Sequence, residues 1–211
     1  MDSLFDVLEE ENREERLAEV ARQVSVCTRC DLARTRTNTV FGTGDPYSPL
    51  MLIGEGPGEN EDASGLPFVG RAGKLLDDIL AAVNLTREQI YLTNVVKCRA
   101  SEELNGRIRN RQPNAKEIRA CNPYLQAQLE TIKPKVILCL GAPAARTVID
   151  PNFKITRDRG KWYRAHGAQA MATFHPAYIL RQRGEELRQT KLQVWQDIQN
   201  VYAEYEKVLE S

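Results

Sequence analysis

The stretch LMLIGEGPGENED, residues 50–62, joins an apolar run directly to a turn rich in glycine and carboxylates. Four apolar residues bounded by a Gly/Pro turn predict a short buried strand. Glycine in such a turn lets the backbone approach a ligand closely. The crowded carboxylates repel one another, which favours a functional site with perturbed pKa values, although a solvated acidic turn has the same composition.

Strands and helices alternate along the rest of the chain. Three further apolar runs predict strands at 90–96, 135–140 and 169–174. Apolar residues at helical spacing predict helices at 4–24, 71–83, 114–131, 142–148 and 188–209. This alternation predicts an α/β layer fold with a mainly parallel sheet, whose ligands bind where the strands end.

The composition of the 211 residues is that of an ordinary globular protein, with 42% hydrophobic and 27% charged residues. The longest apolar runs are far shorter than a bilayer span. The acidic N-terminus does not suit a signal or transit peptide. We therefore expect a cytoplasmic protein, with an acidic helix over residues 1–25 and a single domain over 26–211.

Positive and negative charges are equal in number but unevenly distributed. Residues 1–25 carry eight acids against three bases, whereas residues 154–191 carry nine bases against three acids. The segment 99–119 has six bases against three acids. A basic face is the electrostatic signature of a nucleic-acid ligand, although solvated loops would give the same counts.

Of the five cysteines, one lies in an apolar run of sequence and four lie in polar surroundings. Cys139 lies inside the apolar run 135–140 and is predicted to be a small core residue. An odd count argues against a framework of disulfides. The other four, which include a Cys-x2-Cys pair, are Cys27, Cys30, Cys98 and Cys121. Four thiolates hold either zinc or a [4Fe–4S] cluster, and four incidental thiols are the alternative.

Polar and aromatic residues follow three of the predicted strands or lie in a glycine-flanked loop. Asn94 ends the second strand, His175 follows the last one, and Phe68 lies in the loop 65–73. Each alone has a structural explanation, since Phe68 suits a core position and a single histidine is often structural. An amide, a histidine, an aromatic ring and an acidic glycine turn at one rim together favour a binding site.

Four motifs make the family recognisable. They are GEGPGENED at 54–62, GLPFVGRAG at 65–73, YLTNVVKCR at 91–99 and HPAYILR at 175–181. With the cysteine pattern, the chain resembles the family 4 uracil-DNA glycosylases, the iron–sulfur type, from about residue 27 to 200. The resemblance implies a three-layer α/β/α sandwich around a central, mainly parallel four-stranded sheet. It also implies a DNA repair enzyme that flips uracil out of DNA and hydrolyses its N-glycosidic bond, leaving an abasic site.

The resemblance implies a role for each site residue. The uracil pocket would be lined by Glu55, Gly56 and Pro57. Phe68 would stack on the flipped base, Asn94 would read the uracil edge, and His175 would face O2. Glu61 would crowd the C5 position and exclude the methyl group of thymine. The better-known uracil glycosylases position the water with an Asp where this chain has Gly56, so Glu55 or Asn94 is expected to help the water.

The resemblance also implies a cofactor and a DNA-binding surface. A structural [4Fe–4S] cluster would be held by Cys27, Cys30, Cys98 and Cys121. Apart from the resemblance, Ile179 and Leu180 offer apolar atoms that would fill the vacated base stack. The cations predicted to contact DNA phosphates are Arg107, Arg109, Arg111 and Arg181. The substrate would be uracil-containing DNA, single- or double-stranded, and we expect a monomer without a membrane partner. The N-terminal helix is a candidate contact for a replication or repair protein.

The segment 101–111 is longer than usual for the family. A related subgroup carries a long loop here, with a histidine that traps the sugar covalently. This loop has no histidine, so we predict ordinary turnover, with arginines that contact DNA phosphates; a tolerated surface insertion is the alternative. Two other functions stay open at this point: a DNA-binding member without activity, and an iron–sulfur electron carrier or zinc-stabilised interaction module.

Overall fold

The computed structural model describes residues 12–210. The predicted acidic helix therefore lies partly outside the described residues. The helices are α1 (Arg13–Ser25), α2 (Glu59–Ser64), α3 (Arg71–Ala81), α4 (Ala115–Ile132), α5 (Ala142–Val148), α6 (Ile155–Asp158), α7 (Pro176–Ile179) and α8 (Gly184–Leu209). The strands are β1 (Thr43–Gly44), β2 (Leu50–Gly54), β3 (Tyr91–Asn94), β4 (Ser101–Leu104), β5 (Arg107–Asn110), β6 (Val136–Leu140), β7 (Tyr163–Ala165) and β8 (Ala168–Thr173).

The main sheet has six strands in the order β1-β3-β2-β6-β8-β7. The inner four are parallel, as predicted, and β1 and β7 add antiparallel edges. The expectation of four strands is therefore corrected to six. Both extra strands have only two or three residues, too few to show an alternating pattern in the sequence.

Successive residues of the parallel strands point to opposite faces, and each face is covered by helices. Met51 packs with α1, α4 and α5 on one side, and Leu52 packs with α3 and α8 on the other. The same alternation holds along β6, where Cys139 is fully buried in the first layer, as predicted. The fold is thus a three-layer α/β/α sandwich, and full burial of an aliphatic side chain in it stabilises by about 1.5–3 kcal/mol.

Helix α1 belongs to this core. Leu17 and Val24 are buried in the layer that contains α4, so the described part of the acidic helix is packed against the sheet domain. Among the residues described, no helix is both long and apolar enough to cross a membrane.

The sheet topology brings the predicted site residues to one edge. Strand β3 pairs with one side of β2, and β6 pairs with the other side. The order in which successive strands are added to the sheet therefore reverses between β2 and β6. Gly54 and Asn94 are register partners at the ends of β2 and β3, and Thr173 ends β8 two residues before His175. Ligands of open parallel sheets bind at such a switch point.

The long segment after Cys98 forms a β-hairpin. Strands β4 and β5 pair through Ser101 with Asn110 and Leu104 with Arg107. The turn residues Asn105 and Gly106 have φ of +53° and +72°. Two positive φ values define the tight hairpin turn for which Asn-Gly is preferred, so the segment is an ordered hairpin where the sequence pattern led us to expect a loop.

Candidate active site

A cleft of about 690 Å³ opens at the carboxyl edge of the sheet. Its walls come from the turn after β2, the loop before α3, the end of β3, the base of the hairpin and the segment around α7. All seven residues predicted to contact the base line it: Glu55, Gly56, Pro57, Glu61, Phe68, Asn94 and His175. The fold therefore brings together side chains that are up to 120 positions apart in the sequence, as the numbers 55 and 175 show.

Asn94 presents a buried amide to this cleft. Its side chain is 2% exposed, and within the described part of the chain its Oδ1 atom has no hydrogen-bond partner. A Cβ atom at position 54 would lie 2.3 Å from that oxygen and 2.5 Å from the Phe68 ring, so only glycine leaves this space open. A buried acceptor without a partner is unfavourable in the free protein, and a ligand that donates a hydrogen bond to it recovers that energy.

His175 is held in one neutral form. Its Nδ1 accepts a hydrogen bond from the backbone N–H of Ala177 at 3.0 Å, so the ring proton lies on Nε2. Burial lowers the pKa of His175 to about 4, and the positive charge of Arg181 acts in the same direction. The ring centroid is 6.0 Å from that of Phe68, with 27° between the planes. The cleft therefore contains a neutral imidazole N–H donor beside an aromatic face.

Glu61 joins two loops of the cleft. One carboxylate oxygen accepts from the backbone N–H groups of Val69 at 2.9 Å and Gly70 at 2.7 Å. The other accepts from the N–H of Gly58 at 3.0 Å. Its carboxylate thus fastens the turn after β2 to the loop that carries Phe68, a role that the sequence motif did not reveal.

Glu55 is a half-buried carboxyl in the cleft. Burial raises the pKa of Glu55, and the charge of Arg181 opposes this to a smaller extent. Arg181 also lines the cleft and its guanidinium lies 6.0 Å from the centre of the Tyr178 ring. A carboxylate whose pKa is raised by burial, beside the charge of Arg181, is suited to act as a general base towards a water molecule.

Two of the residues predicted to contact DNA have internal roles. Ile179 is 2% exposed and packs with Phe174 and Val194, so it is unable to enter a base stack. Arg111 forms a two-bond ion pair with Glu117, at 2.8 and 2.6 Å, that joins the hairpin to α4. The assignment of Ile179 is corrected, because the sequence pattern did not show its burial. Arg111 still lines the cleft, so its contact with DNA phosphates stays a prediction.

The remaining DNA-binding candidates differ in exposure. Arg107 and Arg109 are exposed on β5, outside the cleft, and Arg181 is exposed at its rim. Leu180 is only half-buried and does not line the cleft. Within β5, both hairpin arginines point to one face of the hairpin and Ile108, between them, points to the other.

The four polar-context cysteines surround one small cavity. Cys27 and Cys30 come from the loop after α1, Cys98 follows β3, and Cys121 lies in α4. The Arg36 guanidinium donates to Cys98 Sγ at 3.3 Å, and the backbone N–H of Lys97 donates to Cys121 Sγ at 3.2 Å.

Burial favours the neutral thiol at two of the four cysteines. Burial raises the pKa of Cys98 and raises that of Cys121 to about 11. Within the residues described, no three His, Cys, Asp or Glu side chains converge tightly enough for a single metal ion. Four cysteine thiolates are the ligand set that would hold a [4Fe–4S] cluster.

Lys97 is a buried residue that the sequence motifs did not single out. It is fully buried, and its Nζ donates to Thr93 Oγ1 at 2.7 Å, to the Asn94 carbonyl at 2.7 Å and to Gln128 Oε1 at 2.6 Å. Burial lowers the pKa of Lys97 to about 7. The sequence signal for this site was a lone lysine within the largely apolar segment 91–98. A lysine that is buried there requires hydrogen-bond partners, because an unpaired buried cation is highly unfavourable.

Comparison with known proteins places the chain in a family. The model of the Uracil DNA glycosylase superfamily matches residues 41–199, so the chain belongs to this superfamily of proteins. A Type-4 uracil-DNA glycosylase of Thermotoga maritima is 43% identical over 185 residues, which cover 86% of this chain and 92% of the relative.

Archaeal relatives give the same result. Type-4 uracil-DNA glycosylases of Archaeoglobus fulgidus and Sulfurisphaera tokodaii are 41% and 42% identical, and the matches cover 79% and 78% of this chain and 84% and 76% of the relatives. Within the superfamily, the chain is a member of the type-4 group. The resemblance inferred from the four sequence motifs is confirmed.

Proposed function

We propose that the protein removes uracil from DNA by receiving the flipped base in the cleft and hydrolysing its N-glycosidic bond. Family membership supports the activity. The observation that carries the proposal is the buried Oδ1 of Asn94, beside Phe68 and His175, for which residues 12–210 provide no hydrogen-bond partner. A base inside a duplex is out of reach, so the nucleotide must leave the stack, at a free energy of a few kcal/mol.

Contacts in the cleft offset the energy of flipping. Phe68 offers a face on which the base stacks, which stabilises by about 1–3 kcal/mol. Uracil presents an N3–H donor beside the O4 acceptor. The Asn94 amide matches both, with Oδ1 accepting from N3–H and its NH2 group donating to O4. Cytosine has the reverse pattern and would leave buried polar groups unpaired, so it is rejected.

His175 stabilises the departing base. When the bond between C1′ and N1 breaks, its electron pair goes to the base, and negative charge spreads onto O2. The Nε2–H of His175 donates to O2 as an oxyanion-hole donor does. A neutral imidazole performs this task without a change in its own protonation.

Glu55 positions the water. The sugar develops positive charge as the base leaves, and a water then bonds to C1′ and loses a proton. Glu55 lies in the cleft with a raised pKa and accepts that proton more readily than an ordinary carboxylate. Glu55 then releases its proton to solvent and the uracil anion takes one up, which completes the hydrolysis.

A [4Fe–4S] cluster fits the four cysteines Cys27, Cys30, Cys98 and Cys121. They line one cavity, and two of them receive N–H donors that stabilise thiolates. The cluster, when bound, supplies a structural cross-link between the loop after α1, the end of β3 and α4. Because Cys98 lies four residues after Asn94, this cross-link holds the segment that reads the base.

Basic residues around the cleft are proposed to bind the DNA backbone. Arg107 and Arg109 on the hairpin and Arg181 at the rim are exposed cations near the opening. Phosphate contacts of this kind give affinity that depends on salt and carry no sequence information.

The test is a single-turnover assay on matched oligonucleotides with uracil, cytosine or thymine at one position. We expect abasic sites only with uracil, in single strands, in duplexes or in both. If the protein binds the DNA but no abasic site forms, so that the strand is not cleaved at that position, the protein is a DNA-binding member that lacks activity. Zinc in place of four irons per chain would overturn the cluster assignment.

A further inference from the structure

Phe68 has an unusual backbone conformation. Its φ is +53°, in the left-handed region that bulky residues rarely adopt. Its side chain is nevertheless buried, at 5% exposure, in the wall of the cleft. Such a conformation persists only where the surroundings hold it, so the ring that would stack on the base depends on neighbouring groups.

Arg87 holds the carbonyl side of this loop. It lies in the short 3-10 turn Arg87–Gln89 after α3 and is not among the residues that line the cleft. Its guanidinium donates to the carbonyl of Pro67 at 3.1 Å and, over a shorter distance, to the carbonyl of Phe68. Asp77 of α3 pairs with Nε of Arg87 at 2.5 Å and fixes its orientation.

The opposite side of the loop is held independently. Glu61 accepts from the N–H groups of the two residues after Phe68, as described above. Gly73 of α3 permits the close approach, since a Cβ there would lie 1.7 Å from the Phe68 carbonyl oxygen. Arg87 therefore binds the carbonyls of the peptide groups before and after Phe68, whereas Glu61 binds the N–H groups that follow it.

We propose that Arg87, oriented by Asp77, is a positioning residue that holds the Phe68 ring where it stacks on the uracil. This inference rests on the stacking role given to Phe68 in the proposed function. A fork of guanidinium donors suits two adjacent carbonyls, and a lysine ammonium does not reproduce that geometry. Arg87 then acts on the base only through Phe68.

A double-mutant cycle tests this dependence. The variants are Arg87→Met, Phe68→Leu and the double variant, with Arg87→Lys as the milder change. Arg22→Met is the matched control, because Arg22 forms an exposed arginine–carboxylate pair with Glu19 away from the cleft. Binding of free uracil is measured by calorimetry, uracil excision in single turnover, and folding by thermal unfolding and iron content.

We expect Arg87→Met and Phe68→Leu each to weaken uracil binding and excision by about tenfold, and the double variant to lose no more than Phe68→Leu alone. Arg87→Lys should lie between wild type and Arg87→Met. Losses that multiply in the double variant, or Arg87→Met behaving as Arg22→Met does, would overturn the proposal. If Arg87→Met fails to fold, Arg87→Lys and its combination with Phe68→Leu decide by the same criterion.

The two levels of inference are separable. If Phe68→Leu binds free uracil as tightly as the wild type does, the stacking role of Phe68 and the positioning role of Arg87 are both refuted. A wild-type protein that binds free uracil but leaves uracil in DNA would refute the proposed function, while the calorimetric cycle still reports on Arg87.

Discussion

The backbone N–H of Ala177 donates a hydrogen bond to Nδ1 of His175 over 3.0 Å. This contact makes the first residues of α7 a support for the imidazole and directs Nε2–H into the cleft. A helix start that follows a strand end thus fixes the tautomer of His175, the residue proposed to face O2 of the base.

Replacing His175 is expected to slow excision without loss of folding. His175→Ala removes a donor to the developing anion, and loss of one such donor lowers the rate by about 100- to 1000-fold. His166→Asn is the control, because His166 is exposed in a turn with φ of +51°, which asparagine tolerates. Single-turnover rates decide, and an equal effect of both changes would contradict the assignment.

The lowered pKa of His175 predicts a pH dependence of stability. The folded pKa is about 4, against 6.5 for the free side chain. Between these pH values the unfolded chain binds a proton that the folded chain does not. The contribution of His175 to the unfolding free energy is therefore complete above pH 6.5 and is lost as the pH falls towards 4. Urea unfolding from pH 7 to 4.5 should show a smaller decline for His175→Gln than for wild type; identical declines would contradict the prediction.

Asn94→Ala is expected to separate activity from stability. The change removes a buried oxygen that lacks a partner among the described residues, so the unfolding free energy should fall little despite the small cavity. Excision should fall by about 100-fold or more, because the uracil edge loses both its partners. Thermal unfolding and single-turnover assays on the same preparation measure the two effects. A strongly destabilised variant would show that the amide has a structural role.

The hairpin arginines are expected to contribute salt-dependent DNA binding. For Arg107→Ala with Arg109→Ala, the slope of log affinity against log salt should decrease by about 0.7–0.9 for each phosphate that the variant no longer binds. The same two changes at Arg188 and Lys191, exposed on α8, are the control. Titrations at several salt concentrations measure the slopes. Unchanged affinity at low salt would show that the hairpin does not touch DNA.

Two buried cysteines are expected to behave differently. Cys98→Ala should lower the iron content and the thermal midpoint, because the change removes one proposed ligand of the cluster. Cys139→Ala should retain full iron, since Cys139 lies in the core of β6 and only a small cavity forms. Iron analysis and thermal unfolding of both variants test this. Equal iron in the two variants would remove Cys98 from the ligand set.

Much of the architecture was predictable from local patterns. The four inner strands were visible as apolar runs, and the strand-end rule directed attention to Asn94 and His175 before any contact was known. The edge strands β1 and β7 were missed, because two or three residues carry no period. The hairpin was missed although Asn105-Gly106 is a strong turn signal.

The sequence alone was enough to predict which side chains lie at the cleft, because side-chain chemistry and position at a strand end are local properties. The partners of each side chain became known only from the folded chain. Ile179 is buried against Phe174, Arg111 is paired with Glu117, and the Glu61 carboxylate binds backbone N–H groups. Burial and hydrogen-bond partners depend on segments far apart in the chain, and no local pattern specifies which of those segments will meet.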